Sequence, residues 1–216
     1  MLDLFADAEP WQEPLGPGAI ILRRFALQRA APLLAAIDEV AGQSPFRQMV
    51  TPGGYTMSVA MTNCGSLGWA TDSRGYLYSP RDPLTDAPWP PLPGAFRTLA
   101  DAAATAAGYP DFFPDACLIN RYLPGAKLSL HQDKDEKELR APIVSVSLGL
   151  PAIFQFGGLK RSDPLKRTLL EHGDVVVWGG PSRLFYHGIQ PLKEGEHPAT
   201  GRCRYNLTFR QTGIVE

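Results

Sequence analysis

The chain is poor in cysteine, and the three cysteines it has are far apart. Cys64, Cys117 and Cys203 form no C-x-x-C pair, and their number is odd. A disulfide framework needs paired cysteines, and a cysteine zinc site needs closely spaced ones, so the sequence favours neither. We expect three buried thiols.

The sequence also lacks a basic N-terminal leader and any apolar run long enough to cross a bilayer. Its first ten residues carry acids where a secretory signal would carry lysine or arginine. These absences predict a cytoplasmic protein without a membrane partner. The composition, 44% hydrophobic and 20% charged, is typical of a soluble globular protein, and its 216 residues suit one domain. We expect a monomer with a single domain over residues 1–216.

A net positive charge is missing as well, since the formal net charge is −1. This argues against a protein that coats nucleic acid through bulk charge, although it permits a local basic patch. Candidates for such a patch are Lys134, Lys160, Arg161, Lys166 and Arg167. Most charge runs are simply solvated, so the patch alone decides nothing.

The pattern of apolar residues predicts a mainly β protein with supporting helices. Residues 18–25 indicate a strand, and helices are predicted over 28–41, with Pro32 in the first turn and Gly42 at the stop, and over 94–107. Eight short β-rich runs follow from residue 116, which is typical of a barrel or a double-sheet jelly roll. The fold class that we expect is a double-stranded β-helix (jelly-roll) barrel. Residues 1–115 then form an N-terminal extension with two bracing helices and an aromatic-rich flap at about 45–93. Residues 116–216 form the β-helix core.

The last strand is the most informative segment. Arg204, Asn206, Thr208 and Arg210 alternate with apolar residues and therefore share one face. A water-exposed polar face would explain this pattern on an isolated strand. Neighbouring strands, however, carry similar polar pairs, Asn120 with Tyr122 and Ser145 with Ser147, which favours a polar interior. Inward guanidiniums need an anion, and a small dicarboxylate would supply it.

A metal site is predicted from three residues. His131 and Asp133 are two apart at a strand end, so both side chains point to one side, and His187 follows 56 residues later. Two imidazoles and one carboxylate make the facial triad of non-haem Fe(II) oxygenases, although zinc can use the same ligands. His172 and His197 occur in loop-like contexts, and we interpret them as surface residues.

Five stretches resemble one family. Residues 51–65, 120–136, 145–161, 173–189 and 203–210 are similar to the AlkB family of Fe(II)- and 2-oxoglutarate-dependent dioxygenases, which repair alkylated nucleic-acid bases. The resemblance implies oxidative demethylation of bases such as 1-methyladenine and 3-methylcytosine in single- or double-stranded DNA, with RNA as a further candidate. The protein would bind Fe(II) and consume 2-oxoglutarate and O₂ as cosubstrates. Formaldehyde, succinate and CO₂ would be released.

The resemblance also implies roles for individual residues. The iron ligands would be His131, Asp133 and His187. The 2-oxoglutarate site would consist of Arg204, Asn206 and Tyr122 at the distal carboxylate, and Arg210 and Asn120 at the end that chelates iron. The substrate contacts would be Trp69 and His131 around the base, Tyr76 at the phosphate backbone, and Asp135 and Arg161. The flap departs from the basic character expected of the family at Ser66 and Asp72.

Two other functions use the same residues. A hydroxylase of a small molecule or a protein side chain would keep the iron and 2-oxoglutarate residues without needing the basic loop 160–167. A non-catalytic jelly roll that binds a metal would form no succinate.

Overall fold

The computed structural model describes residues 9–72 and 75–214. Over these residues the helices are α1 (Ala30–Gln43) and α2 (Gly94–Ala106), and 3₁₀ turns cover Leu27–Arg29 and Gly180–Ser182. The strands are β1 (Trp11–Gly16), β2 (Ala19–Arg23), β3 (Arg47–Val50), β4 (Thr56–Gly65), β5 (Gly68–Asp72), β6 (Gly75–Ser79), β7 (Ala116–Tyr122), β8 (Leu128–His131), β9 (Ile143–Gly149), β10 (Ala152–Phe156), β11 (Lys166–Leu170), β12 (Val175–Trp178), β13 (His187–Ile189) and β14 (Arg204–Arg210).

Two antiparallel sheets build the body of the molecule. The major sheet has the order β1-β2-β12-β9-β14-β7-β4-β3, and the minor sheet has the order β11-β10-β13-β8. The eight strands expected after residue 116 are confirmed, and the jelly-roll fold class with them. The sheets keep separate edges rather than closing into a barrel. Strands from the first 65 residues extend the major sheet at both ends.

The two helices pack on the outer face of the major sheet, as predicted. Their apolar residues join one buried cluster with Leu207 and Phe209 of β14. Their limits differ slightly from the predicted ones, because a 3₁₀ turn precedes α1 and the helix continues through Gly42. Gly42 lacks a positive φ, so it does not end the helix.

A second buried cluster fills part of the space between the two sheets. It combines Met61, Leu118 and Val176 of the major sheet with Phe154 and Ile189 of the minor one. Because strand side chains alternate, the polar residues of β14 point into the same space. All four are buried, which confirms the predicted polar interior.

Strand register places these polar residues beside one another. On β14, Arg204 pairs with Tyr122, and Asn206 pairs with Asn120 of β7 on one side and with Ser147 of β9 on the other. The interior is therefore assembled from three adjacent central strands. Central strands are anchored on both sides, so their side chains are held firmly.

The region 45–93, predicted as a flap, is divided between two sheets. β3 and β4 belong to the major sheet, and only the hairpin of β5 and β6 forms a sheet of its own. We call this hairpin the flap. Strand β1 was not predicted, because its edge position tolerates Pro14 and exposed Trp11. Cys64 and Cys117 are buried, but Cys203 is partly exposed, against expectation. Within the described ranges, no helix is long and apolar enough to cross a membrane.

Candidate active site

A cavity of about 840 Å³ opens between the two sheets. Its walls carry polar residues of the major sheet and histidines of the minor sheet, and the flap contributes aromatic rings. Every predicted site residue lines it: Trp69, Tyr76, Asn120, Tyr122, His131, Asp133, Asp135, Arg161, His187, Arg204, Asn206 and Arg210. The structure thus brings together residues that are up to 141 positions apart in the chain.

The two histidines and one aspartate converge at one point. His131 ends β8 and is the cross-strand partner of His187, which begins β13. Ligand atoms of His131, Asp133 and His187 all lie within 4.8 Å of one another. Nδ1 of each ring lies at hydrogen-bond distance from a backbone oxygen, Ser129 O at 2.8 Å and Phe185 O at 3.0 Å. An Nδ1–H that donates there leaves the Nε2 lone pair available to a metal.

The electrostatics keep His187 and Asp133 in the forms that bind metal. Burial, with the positive charge of His131 adding to it, lowers the pKa of His187 to about 4, so the ring is neutral near pH 7. Burial by itself would raise the pKa of Asp133. The attraction of Arg210, and then of His187 and His131, outweighs burial and holds that pKa well below its usual range. The neutral His187 imidazole and the ionised Asp133 carboxylate suit Fe(II).

The two arginines of β14 differ in their surroundings. Arg210 donates to Asp133 Oδ2 from Nε at 3.2 Å and from Nη2 at 2.9 Å, and its Nε is 3.3 Å from Glu136 Oε1. Its charge is therefore compensated by the protein itself. The prediction that both guanidiniums need an external anion is therefore wrong for Arg210.

Arg204 has no such compensation. It is 1% exposed, its Nη2 donates to Ser147 Oγ at 3.0 Å, and its carbon Cζ lies 4.9 Å from the centre of the Tyr122 ring. Within the described part of the chain no ion pair involves Arg204, and its buried Nε and Nη1 have no hydrogen-bond partner. Burial lowers its pKa as a result. A buried guanidinium with two unused donors fits a carboxylate.

An amide and hydroxyl network lies between the two arginines. Asn120 Nδ2 donates to Asn206 Oδ1 at 3.1 Å, and Thr208 Oγ1 donates to the same oxygen at 2.9 Å. Asn206 Nδ2 in turn donates to Ser145 Oγ at 2.7 Å. These bonds fix the orientation of both amides and give the cavity a rigid polar wall.

The mouth of the cavity is covered by the flap. Two hydrogen bonds fix the backbone of Trp69 to the Asn63 side chain, at 2.9 and 3.0 Å. Its indole Nε1 donates to Asp135 Oδ2 at 3.0 Å, and its ring stacks on Tyr76 with centres 5.0 Å apart and planes 14° apart. An aromatic platform beside an exposed carboxylate is the chemistry that a flat cationic ring requires.

Arg161 lies at another part of the rim. It donates from Nη1 to Leu130 O at 2.6 Å, and its Cζ is 5.9 Å from the centre of the Tyr186 ring. Its side chain is thereby directed towards His131 at the end of β8.

Three residues that sequence reasoning missed lie close to the Asp133 carboxylate. Tyr78, Glu136 and Arg183 form a buried network with Arg210. Burial raises the pKa of Tyr78 well above its usual value, against the opposing charge of Arg210 and with the Glu136 carboxylate adding to the effect of burial, so its hydroxyl remains a donor. Glu136 could have been predicted as a site residue because it is charged and follows the His-x-Asp motif by three positions. No comparable sequence pattern indicates Arg183.

His172 and His197 lie outside the cavity and are not the loose surface residues that we expected. Their rings are partly buried and lie against each other with centres 4.4 Å apart and planes tilted by 35°. His172 Nδ1 accepts a hydrogen bond from the Gly149 N–H at 2.9 Å. Burial and the neighbouring His197 lower the pKa of His172 to about 4.

The jelly roll and its His-Asp-His site define a mononuclear non-haem iron oxygenase, and the uncompensated Arg204 fits an acidic cosubstrate. Residues 18–210 match the model of the 2OG-Fe(II) oxygenase superfamily, and the chain belongs to this family. It is a Fe(II)- and 2-oxoglutarate-dependent dioxygenase, as the sequence predicted.

Individual relatives agree with this assignment. The chain is 79% identical over 216 residues, all of both chains, to the alpha-ketoglutarate-dependent dioxygenase AlkB of Escherichia coli (strain K12). It is 32% identical over 133 residues, 60% of this chain and 34% of the relative, to the nucleic acid dioxygenase ALKBH1 of Homo sapiens. The solved structure of OsALKBH1 superposes with a TM-score of 0.81 at 30% identity, covering 93% of this chain and 100% of that one.

Proposed function

We propose that this dioxygenase oxidatively demethylates alkylated bases, such as 1-methyladenine and 3-methylcytosine, in DNA, with RNA as a second polymer substrate. The observation that carries the proposal is the mouth of the cavity. There the Trp69 and Tyr76 rings and the Asp135 carboxylate line the same cavity as the His-Asp-His site. Methylation at these ring nitrogens makes the base cationic, which matches an aromatic surface beside a negative charge.

The residues present fit the metal and the cosubstrate. His131, Asp133 and His187 would hold Fe(II) by one face and leave positions open. Arg204 would pair with the distal carboxylate of 2-oxoglutarate, assisted by Tyr122 and Asn206, with Asn120 and Arg210 at the end that chelates iron. When bound, iron, 2-oxoglutarate and O₂ supply the oxidation that converts N–CH₃ to N–CH₂OH, with succinate and CO₂ as coproducts; the hydroxymethyl product then loses formaldehyde.

The remaining residues would position the base. A base inside a duplex cannot reach a metal between two sheets, so the nucleotide must be flipped out or already unpaired. Trp69 would stack on it opposite His131, Asp135 would attract its positive charge, and Tyr76 would contact the phosphate backbone. Arg161, at the rim, would add a further contact to the nucleic acid.

The alkyl-base substrate is favoured over a free small molecule by the basic residues next to the cavity. Lys134 directly follows Asp133, and Lys160 and Arg161 lie in the loop after β10. We infer that the backbone of a polynucleotide would pass these three basic residues. The relative from Homo sapiens, named a nucleic acid dioxygenase, supports the same substrate class. We further infer that residues 116–216 supply the iron and 2-oxoglutarate residues, while residues 1–115 supply the flap, and that a monomer is the working form.

A product assay tests this function. The protein is incubated with Fe(II), 2-oxoglutarate and air, with an oligonucleotide containing 1-methyladenine or with the free nucleoside. We expect formaldehyde and succinate in equal amounts, with a strong preference for the oligonucleotide. Equal rates on both substrates would instead point to a small-molecule hydroxylase, and no succinate under any condition would leave only a metal-binding protein.

A further inference from the structure

The flap contacts the segment that follows the metal ligand Asp133 through two side-chain hydrogen bonds. From β5, Trp69 donates to Asp135, and from β6, the Tyr78 hydroxyl donates to Glu136 Oε1 at 2.5 Å. The two acceptors are neighbours in the chain but differ in surroundings. Asp135 is exposed, whereas Glu136 is only 6% exposed.

Glu136 is also bound to two buried arginines. Its Oε2 accepts from Arg183 Nη2 at 3.0 Å, and its Oε1 is 3.3 Å from Arg210 Nε. Arg183 Nη1 donates to the backbone oxygen of Asp133 at 2.7 Å, while Arg210 holds the carboxylate of the same residue. Two guanidiniums and two carboxylates thus compensate each other's charge around a proposed metal ligand, and Glu136 supplies one of the two negative charges.

The two flap bonds differ in their dependence on substrate. The Asp135 carboxylate lies at the mouth, so a cationic base that binds there shares it with Trp69. Glu136 also lines the cavity, but it is only 6% exposed and both of its carboxylate oxygens are held by Arg183 and Arg210. The Tyr78 hydrogen bond is therefore the flap contact that does not compete with the base.

We propose that Tyr78 and Glu136 are positioning residues for demethylation: their hydrogen bond keeps the flap closed over the base, and the same Glu136 carboxylate, through Arg210 and Arg183, orients Asp133. The Glu136 carboxylate is thus shared by the flap bond and by the arginines that hold Asp133. This inference rests on the proposed function for its effect on substrate, but its structural part does not.

Tyr78→Phe removes the flap bond alone. A hydrogen bond to a charged group contributes enough that we expect amide hydrogen exchange in the flap of the apoprotein to increase about tenfold or more. The KM for a 1-methyladenine oligonucleotide rises by about the same factor, while kcat at saturation and the KM for 2-oxoglutarate stay within about twofold. Tyr109→Phe is the matched control, because that hydroxyl also donates one hydrogen bond, to Gly18 O at 2.7 Å, and is remote from the cavity.

Glu136→Gln removes the shared negative charge. Arg210 then has Asp133 as its one remaining carboxylate and competes more strongly with a metal for it. We expect the Kd for Co(II), measured anaerobically without substrate, to rise by about tenfold or more, since partners behind a metal ligand commonly change affinity on that scale. Tyr78→Phe leaves this Kd within about twofold. In the Glu136→Gln background, Tyr78→Phe increases flap exchange by a smaller factor, because the Tyr78 hydroxyl there donates to a neutral amide oxygen rather than to a carboxylate.

Flap exchange in Tyr78→Phe that equals both wild type and Tyr109→Phe would overturn the proposal. So would a full effect of Tyr78→Phe in the Glu136→Gln background. If Glu136→Gln does not fold, the exchange and KM measurements on Tyr78→Phe decide the matter by themselves. Failure of the wild-type protein to oxidise methylated oligonucleotide would count against the proposed function instead, because exchange and Co(II) binding need neither nucleic acid nor turnover.

Discussion

The Arg204 guanidinium lies 4.9 Å from the centre of the Tyr122 ring and is enclosed by the protein without a carboxylate partner among the described residues. Six positions later on the same strand face, Arg210 is bound to Asp133 and Glu136. One strand therefore presents a compensated and an uncompensated cation to the same cavity. The uncompensated cation, Arg204, is a ready site for an anion. Its burial without a partner should also lower the stability of the ligand-free protein.

Arg204→Met separates these two effects. The loss of a charge-assisted pair should weaken 2-oxoglutarate binding by about 10- to 100-fold. Because a buried guanidinium with unpaired donors is costly, the same change should stabilise the ligand-free protein by about 1 kcal/mol or more. Anaerobic calorimetric titration and thermal unfolding measure the two quantities. Arg202→Met, at a side chain that is 65% exposed, is the control and should alter neither.

Metal binding should stabilise the folded protein. At a Co(II) concentration of 100 times Kd, linkage predicts about 2.7 kcal/mol of added stability, visible as a higher Tm. In His187→Ala one ligand of the site is missing, so this increase should be much smaller. His197→Ala removes a histidine outside the cavity and should keep the full increase. An equal rise in Tm in both variants would contradict the site.

Trp69→Ala should weaken substrate binding and spare the cosubstrate. Base stacking on an aromatic ring contributes about 1–3 kcal/mol, so the KM for a methylated oligonucleotide should rise by roughly 5- to 150-fold. The KM for 2-oxoglutarate should not change, because Arg204 and its neighbours are untouched. Steady-state kinetics measure both. The control Trp11→Ala removes an exposed tryptophan on β1 and should leave the kinetics at wild-type values.

Arg161→Ala tests the electrostatic contribution of the rim. Each phosphate neutralised on single-stranded nucleic acid adds about 0.7 to the slope of log Kd against log salt concentration. We therefore expect the slope to fall by about 0.7 in this variant, with weaker binding of methylated and unmethylated oligonucleotides alike. Fluorescence anisotropy at several salt concentrations gives the slope. A slope equal to wild type would remove Arg161 from the nucleic-acid contacts, and Arg202→Ala serves as the charge-matched control.

The free energy of unfolding should decrease as the pH is lowered, because of His172. Burial, with the charge of His197 adding to it, depresses the pKa of the folded state to about 4, against 6.5 for the exposed side chain. The unfolded chain therefore binds a proton first, so the contribution of this ring is complete above about pH 6.5 and is lost progressively between 6.5 and 4. His172→Asn keeps an acceptor for the Gly149 N–H and should lose less stability over this window in denaturant titrations.

The contribution of His172 is obtained from the difference between the two proteins. His187 also has a lowered pKa and titrates in both, so its effect cancels when wild type and His172→Asn are compared. A difference in unfolding free energy that stays constant from pH 7.5 to about pH 4.5 would contradict the assignment.

The amino-acid sequence by itself determined the chemistry of the site. Alternation with period two placed Arg204, Asn206, Thr208 and Arg210 on one face, and His131 with Asp133 on one side of a strand end, since these spacings are set by local backbone geometry. The eight β-rich runs and two helices likewise follow from local patterns. The edge strands of the sheets were less predictable. Strand β1 was missed because an edge strand can carry proline and exposed residues.

Only the tertiary structure decided how the charges are paired. Nothing in the spacing of Arg204 and Arg210 distinguishes them, yet one faces Ser147 and Tyr122 while the other faces two carboxylates. The link between the flap and the metal ligand depends equally on strands far apart in the chain. Ion pairs and side-chain hydrogen bonds fall off within a few ångströms, so they are fixed by which strands become neighbours, and a pattern along one strand does not contain that information.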